Sequence, residues 1–384
     1  MSFDDKQTFA LLLTILQPFP VEKNISLSKQ ALQQVRSLAQ RHNLLMLVYS
    51  QLSKSPNIAD NESVQHFLEE LRPLYIKNAV LSASQESVEN EVVYLLQQQR
   101  IPSFVLRGNR LAKQLYRDPN CRTSSDIDIL IKQQDACLAQ SILTKAGYRG
   151  DDLMPLEYCL NHIHHASFYH QDTELLIEIH WNFGVPTYFH LTSEAVWQGV
   201  GFNEFGAYQL TPESMFIMLL IHHHSHAFRE LKILVDILWC LYRYEAATNW
   251  AFVGEKLKAI GLLKTAQITI NQLVALWHDS IQYIPSIDGI WKSVARLGQK
   301  PSTILMNYFK INESTLQEEH YYQDRLLARF ALDSWRSFFM SFIKTVFPDL
   351  KAVQALYRDS GVWRLPLHYA RFIRWRLSDW FQLW

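Results

Sequence analysis

The sequence is poor in cysteine: Cys121, Cys137, Cys159 and Cys240 are all that 384 residues contain, and no two stand in Cys-x-x-Cys spacing. That removes the signature of a disulfide-stapled secreted fold. The start of the chain has no basic stretch followed by an apolar core and a small-residue cleavage site, so a reducing cytoplasm is the expected compartment. There is no uninterrupted apolar run of about 18 residues, which argues against a membrane-spanning helix. Net charge is also missing. Lys and Arg number 37 and Asp and Glu number 37, so nothing global favours a nucleic-acid coat, and any polynucleotide would have to be held by a local patch. Neither an internal repeat nor a low-complexity tract is present.

What remains is a globular balance, with 48% hydrophobic and 19% charged residues, and aromatics raised to 13% with 11 Trp. A chain this long buries a sizeable core and is expected to divide into at least two lobes. From "DDKQTFALLLTIL" through "SKQALQQVRSLAQRHNLLMLVYSQL" to "ESVENEVVYLLQQQ", apolar positions recur at helical spacing, giving a helical segment over residues 1–100. A mixed block follows to residue 186. It holds a strand in "PSFVLRGN", a helix in "RLAKQLYRD" stopped at Asp118-Pro119, and a strand in "SSDIDILI". A helix in "QDACLAQSILTKAGY" and two extended runs, "HHASFYH" and "TELLIEIHW", complete it. Beyond Pro186 strand signals fade. The stretch "TPESMFIMLLIHHHSHAFRELKILVDILWCLYRY" opens with a Thr-Pro-Glu helix start, and residues 187–384 read as a large, mostly helical C-terminal lobe.

The chemistry concentrates in "RTSSDIDILI". Side chains alternate along a strand, so Asp126 and Asp128 share one face while Ile127, Ile129 and Ile131 share the other. Two like charges side by side on a half-buried face repel and resist desolvation, and a divalent cation or a shared proton compensates them. A cation calls for a further carboxylate on an adjacent strand. "LLIEIHW" offers Glu178, facing with Leu176 and His180, away from Leu175, Ile177, Ile179 and Trp181. Such oxygen donors suit Mg²⁺ or Mn²⁺ together with substrate phosphates. Two such ions about 4 Å apart could activate an attacking oxygen and neutralise a leaving pyrophosphate. Upstream, Gly108 lies where strand turns into helix, allowing phosphate to approach the helix N-terminus, with Asn109 as helix cap or phosphate donor. Arg107, Arg110, Lys113 and Arg122 are cations within reach of a triphosphate.

The order "LRGNRLAKQLYRD", "CRTSSDIDILI", "GY", "LLIEIHW" resembles the nucleotidyltransferase superfamily that includes DNA polymerase beta and the aminoglycoside nucleotidyltransferases. It is similar, more narrowly, to a bacterial branch with a "KG…L…Y…R..DIDLL" signature and a later "ELHW". The resemblance covers about residues 100–185 and extends loosely to "HAFRELKILVDILW" and "FPDLKAVQALY". It implies that Asp126 and Asp128 bind metal, that Glu178 helps activate an acceptor hydroxyl, and that Gly108 and Asn109 form the phosphate turn. This chain departs by having Gly-Asn where the superfamily has Gly-Ser or Gly-Gly, and Arg107 where the branch usually has Lys. The association of that branch with exopolysaccharide and modified-peptide pathways suggests an acceptor class only by analogy.

The expected fold is therefore α+β: a small mixed β-sheet nucleotidyltransferase core at 101–186, between an N-terminal helical segment and the helical C-terminal lobe. The expected activity is Mg²⁺- or Mn²⁺-dependent transfer of NMP from an NTP to a small molecule, saccharide, peptide or RNA. The competing reading is an inactive scaffold with the same fold that holds a partner or a membrane.

Other features have blander explanations. His180 is a neighbour of the metal site, a base, or a hydrogen-bonded structural residue. His222 and His226 of "HHHSH" share a helical face, but no Glu lies between them and consecutive helical histidines cannot all meet one ion, so the run is expected to line a lobe interface. "NHIHH", His162 to His165, is read the same way. Asp236 has Lys232 one helical turn earlier and is expected to pair with it. His278-Asp279 lacks the further histidines of a metal phosphohydrolase. The C-terminal "RLPLHYARFIRWRLSDWFQLW" carries Arg364, Arg371, Arg374 and Arg376 among Trp375, Trp380, Phe381 and Trp384. It suits a peripheral membrane helix or a basic groove, and equally a terminal helix packed on its own lobe.

Overall fold

The helical spacing of the first hundred residues folds as α1 (Phe3–Leu16), α2 (Lys29–Arg41), α3 (Leu45–Ser53) and α4 (Glu62–Gln98). The structure, a computed structural model, describes residues 3–19, 27–58, 60–151, 154, 156–171, 173–185, 188–281, 327–346, 366–371 and 373–374. Capping side chains set where these helices begin. Ser28 accepts from the Ala31 N–H at 3.2 Å and Asn61 from the Val64 N–H at 3.1 Å, each relieving an orphan donor of the first turn. The 37 residues of α4 extend about 55 Å at helical rise. That length lets one helix serve two cores. Its first half places Val64, Phe67 and Leu71 among the other helices, and its second half places Val88, Val92 and Leu96 on the back of a sheet.

That sheet has five strands: β1 (Phe104–Val105), β2 (Asp126–Leu130), β3 (Arg149–Gly150), β4 (His165–Tyr169) and β5 (Leu176–His180). Their spatial order is β1-β2-β5-β4-β3, with β2 parallel to β5 and the other pairs antiparallel. Ile127, Ile129, Phe168, Ile177 and Ile179 fill the back face against α4 and α6 (Ala136–Lys145), reached after α5 (Gly108–Tyr116). Each such side chain contributes about 1.5–3 kcal/mol by leaving water, and a one-residue slip would bring the acids into that layer instead. The short α7 (Leu156–His162) precedes β4.

The C-terminal part contains α8 (Ser193–Trp197), β6 (Val200–Phe202), β7 (Tyr208–Leu210), α9 (Pro212–Ser225), α10 (Leu231–Tyr244), α11 (Trp250–Ile260), α12 (Leu263–Ile281) and α13 (Trp335–Val346). The β6–β7 hairpin departs from the expectation that strands end at Pro186. Its three-residue strands are too short to show alternation. The turn closes because Asn203 Oδ1 accepts the N–H groups of Phe205 and Ala207, both at 2.9 Å, while Gly206 takes φ +74°. The long helical stretch expected from residue 211 onward breaks between α9 and α10, where Ala227 and Phe228 adopt φ of 52° and 60°. Thr211 caps α9 by accepting from the Ser214 N–H.

The chain is α+β, and its larger core joins α1 to helices 223 and 264 positions further along the sequence. Leu12, Ile15 and Leu16 of α1 pack with α9, α10 and α12, and the indoles of Trp239 and Trp277 donate to the carbonyls of Leu16 and Leu13, both at 2.9 Å. Asp236 does not pair with Lys232. Its carboxylate accepts from Arg122 at 3.1–3.2 Å and from the Tyr116 hydroxyl at 2.6 Å, because the loop before β2 brings a bidentate guanidinium into the buried face of α10. No helix among the described residues is long and apolar enough to cross a membrane. Residues 282–326, where helical spacing was expected to continue, "FPDLKAVQALY" and most of the aromatic-basic C-terminus lie outside the described residues.

Candidate active site

The parallel pairing of β2 with β5 does what two separate sequence patterns ask for. In register, Asp128 stands opposite Glu178, Asp126 opposite Leu176 and Leu130 opposite His180. The apolar partners Ile127 and Ile177 also pair, so the acids share the face that the isoleucines leave. Asp128 is buried, at 2% exposure, whereas Asp126 and Glu178 are half-buried.

Buried charge of this kind requires compensation, and it comes from a side chain at the end of β1. Arg107 grips Asp128 with both arms, Nε to Oδ2 at 2.8 Å and Nη2 to Oδ1 at 2.5 Å. His180 Nε2 donates to Asp128 Oδ1 at 2.8 Å and to Glu178 Oε2 at 3.1 Å. Burial would raise the Asp128 pKa, but the Arg107 guanidinium and His180 hold it well below the usual carboxylate range. For His180 burial works downward, and the two carboxylate hydrogen bonds overcome it, bringing the pKa up to about 8. Glu178 is likewise kept below its ordinary value, burial being outweighed by His180. Asp126 goes the other way. Burial and the Asp128 charge raise it more than Arg107 and the Ser124 hydroxyl, 3.0 Å from Oδ1, lower it. Arg107 also donates through Nη1 to His222 Nδ1 at 2.5 Å, and burial together with that guanidinium keeps His222 neutral.

The turn from β1 into α5 demands glycine for its conformation, since Gly108 has φ +63° while the space a Cβ would occupy is free to 3.8 Å. Arg107 at the N-cap makes no side-chain capping bond, so the first-turn N–H groups of α5 are left for another acceptor. Asn109 is not such an acceptor's donor: its amide is buried and donates to the Ser82 carbonyl of α4 at 2.9 Å. Behind the turn lies Glu89 of α4, 2% exposed, with Oε2 unpartnered. Burial pushes its pKa up to about 7 against the opposing charge of Arg110.

The structure brings Asp126, Asp128, Glu178, His180, Arg107 and Gly108 together and leaves two expected cations elsewhere. Arg122 is buried on Asp236, and Lys113 is exposed in the last turn of α5, away from Gly108. The histidine run is dispersed. His223 donates to Gln272 at 2.7 Å, His224 meets the Thr265 hydroxyl at 3.0 Å, and His226 pairs with Glu230. Sequence reasoning passed over Lys232 as a site residue. Burial and Arg122 lower its pKa against the charges of Asp236, Glu230 and, more weakly, Asp126. Glu89 was legible in principle, as an acid on the stripe of Gln85, Val88, Val92 and Leu96 that α4 buries.

Comparison with known families decides the class. The family described as uncharacterised nucleotidyltransferase matches residues 28–278, more than half of the chain. The chain belongs to this nucleotidyltransferase family. No curated protein and no solved structure matches it.

For a nucleotidyltransferase, the donor set is informative. Asp128, Glu178 and His180 offer ligand atoms all within 4.8 Å of one another. Two carboxylate oxygens have about four acceptor positions. Arg107 takes two of those on Asp128 and His180 a third, so a cation meets Asp128 at the remaining lone pair or after Arg107 turns away. Three carboxylates face one guanidinium, one imidazolium and the Lys232 ammonium, and the clustered oxygen donors fit a divalent ion.

Proposed function

We propose that the protein transfers a nucleoside monophosphate from an NTP such as ATP to a hydroxyl or similar acceptor, with Asp126, Asp128 and Glu178 holding Mg²⁺ or Mn²⁺. The observation that carries this reading is the register of Asp128 against Glu178, with Asp126 two residues earlier on the same face. A divalent ion bound there would shield the triphosphate oxygens and acidify the acceptor hydroxyl. The likeness of the motif order to the DNA polymerase beta-like superfamily supports the same assignment.

The chain's own residues have distinct tasks. The first-turn N–H groups of α5 after Gly108 receive a phosphate oxygen, and Lys232 and Arg107 balance phosphate charge. Glu178, ionised at neutral pH, accepts the proton of the acceptor hydroxyl. The hydroxyl oxygen bonds to the α-phosphorus as the bond from that phosphorus to the β-bridging oxygen breaks, and pyrophosphate leaves with the pair of electrons. His180 fixes Glu178 and Asp128 relative to each other.

A second reading rests on one observation, the two-armed hold of Arg107 on Asp128. In an inactive scaffold that pair is permanent and blocks the site. The test is incubation of α-labelled NTPs and Mg²⁺ or Mn²⁺ with cell-extract fractions, comparing the native chain with Asp126→Asn. Label passing to an acceptor with the native chain alone supports transfer. NTP binding without any labelled product in any fraction supports the scaffold.

A further inference from the structure

Beside the carboxylates lies a set of three imidazoles, of which the transfer reaction uses His180 alone. His164 and His165 enter β4 and His180 ends β5. Register places His165 opposite His180, and the Trp181 N–H donates to the His164 carbonyl at 3.0 Å. The backbone thus fixes all three at one end of the sheet. Their ring centroids are 4.7 Å (His164 to His165), 5.0 Å (His165 to His180) and 5.4 Å (His164 to His180) apart. One ring nitrogen from each lies within 4.8 Å of the others.

The hydrogen bonds of the trio are incomplete in a particular way. His164 Nδ1 and His165 Nδ1 are buried without any partner, a condition that folded proteins rarely leave unexplained. In two of the rings Nε2 faces an acid: His180 Nε2 donates to Asp128, and His165 Nε2 is 3.6 Å from Glu178 Oε1. A carboxylate behind an imidazole fixes its tautomer and raises its basicity toward a metal on the other nitrogen. Three converging imidazoles also exclude Mg²⁺ as the natural occupant, because Mg²⁺ prefers oxygen, whereas imidazole suits zinc and its neighbours.

We propose that His164, His165 and His180 bind one divalent transition-metal ion of the zinc class, at a site that adjoins the carboxylate face and shares His180 with it. The three rings leave a fourth position for water or substrate. The inference does not rest on the transferase reading.

The test uses chelator-treated full-length protein titrated with Co²⁺ as a coloured probe, followed by displacement with Zn²⁺, without NTP. The expected result is one equivalent of Co²⁺ with visible absorption that Zn²⁺ abolishes. His164→Gln and His165→Gln should each weaken Zn²⁺ binding by about tenfold or more while keeping the native circular dichroism. Asp126→Asn should bind Zn²⁺ as the native chain does even where it fails to transfer nucleotide, which separates the two readings. Absence of stoichiometric Co²⁺ and Zn²⁺ binding by the native chain, or native affinity in both folded glutamine variants, overturns the site.

Discussion

At the scale of single residues, the two aspartates are not equivalent, and the difference dictates how they are probed. Asp128 is the hydrogen-bonded counter-ion of a largely buried guanidinium, so Asp128→Asn leaves Arg107 with only the more distant charges of Asp126 and Glu178. Breaking such a pair costs about 3–5 kcal/mol, and urea unfolding should show a loss of that order. Asp126 is half-buried and bonded to Ser124, so Asp126→Asn should change stability by less than about 1 kcal/mol. Equal losses in the two variants would contradict this division. Glu89 makes a different prediction. Its pKa rises from 4.5 to about 7 in the folded state, so the folded chain holds an extra proton between those values. Its contribution is fully present below pH 4.5 and is lost as pH rises through 7, by an amount on the order of 3 kcal/mol. Glu89→Gln should therefore gain stability over the native chain between pH 5 and pH 8. Parallel melting curves across that range would refute it.

At the scale of elements, the β1–α5 turn depends on one positive φ. Gly108→Ala keeps the space but strains the backbone, and should cost about 1–2 kcal/mol while weakening NTP binding, read by urea unfolding and nucleotide titration. An unchanged Kd with unchanged stability would remove the turn from the site. Much of the sheet was legible in the sequence because alternation is a local property: "DIDILI" and "LLIEIHW" each show which side chains share a face. What alternation cannot state is a distant partner. Arg122 meets Asp236 across 114 positions of sequence, and the local reading assigned Asp236 to Lys232 instead. The β6–β7 hairpin escaped because its strands are three residues long. The approach of His165 to Glu178 and of Glu89 to Gly108 likewise comes from strand order and helix packing, not from spacing in the chain.

At the scale of the molecule, the helical core contains histidines that folding keeps neutral. Burial, with Arg41 for His42 and His223 for His224, lowers His42 to about 4 and His224 to about 3. Burial also lowers His223 to about 4 against its bond to Gln272. Each is neutral when folded and titrates near 6.5 when unfolded, so their contribution is present above pH 6.5 and is lost as pH falls toward 4. Glu89 works in the opposite sense over part of that window, but one carboxyl opposes three imidazoles. Stability should therefore fall between pH 6.5 and pH 5, and denaturation at pH 5.5 should take up protons. A flat profile would contradict the neutral burial. Two of these histidines tie helices together, His223 and His224 of α9 reaching Gln272 and Thr265 of α12.

Nucleotide transfer at the carboxylate face is read by passage of label from α-³²P NTPs, with Mg²⁺ or Mn²⁺, into extract fractions. The expected result is acceptor labelling by the native chain and none by Asp126→Asn of equal stability. Labelling by Asp126→Asn at the native rate would contradict it.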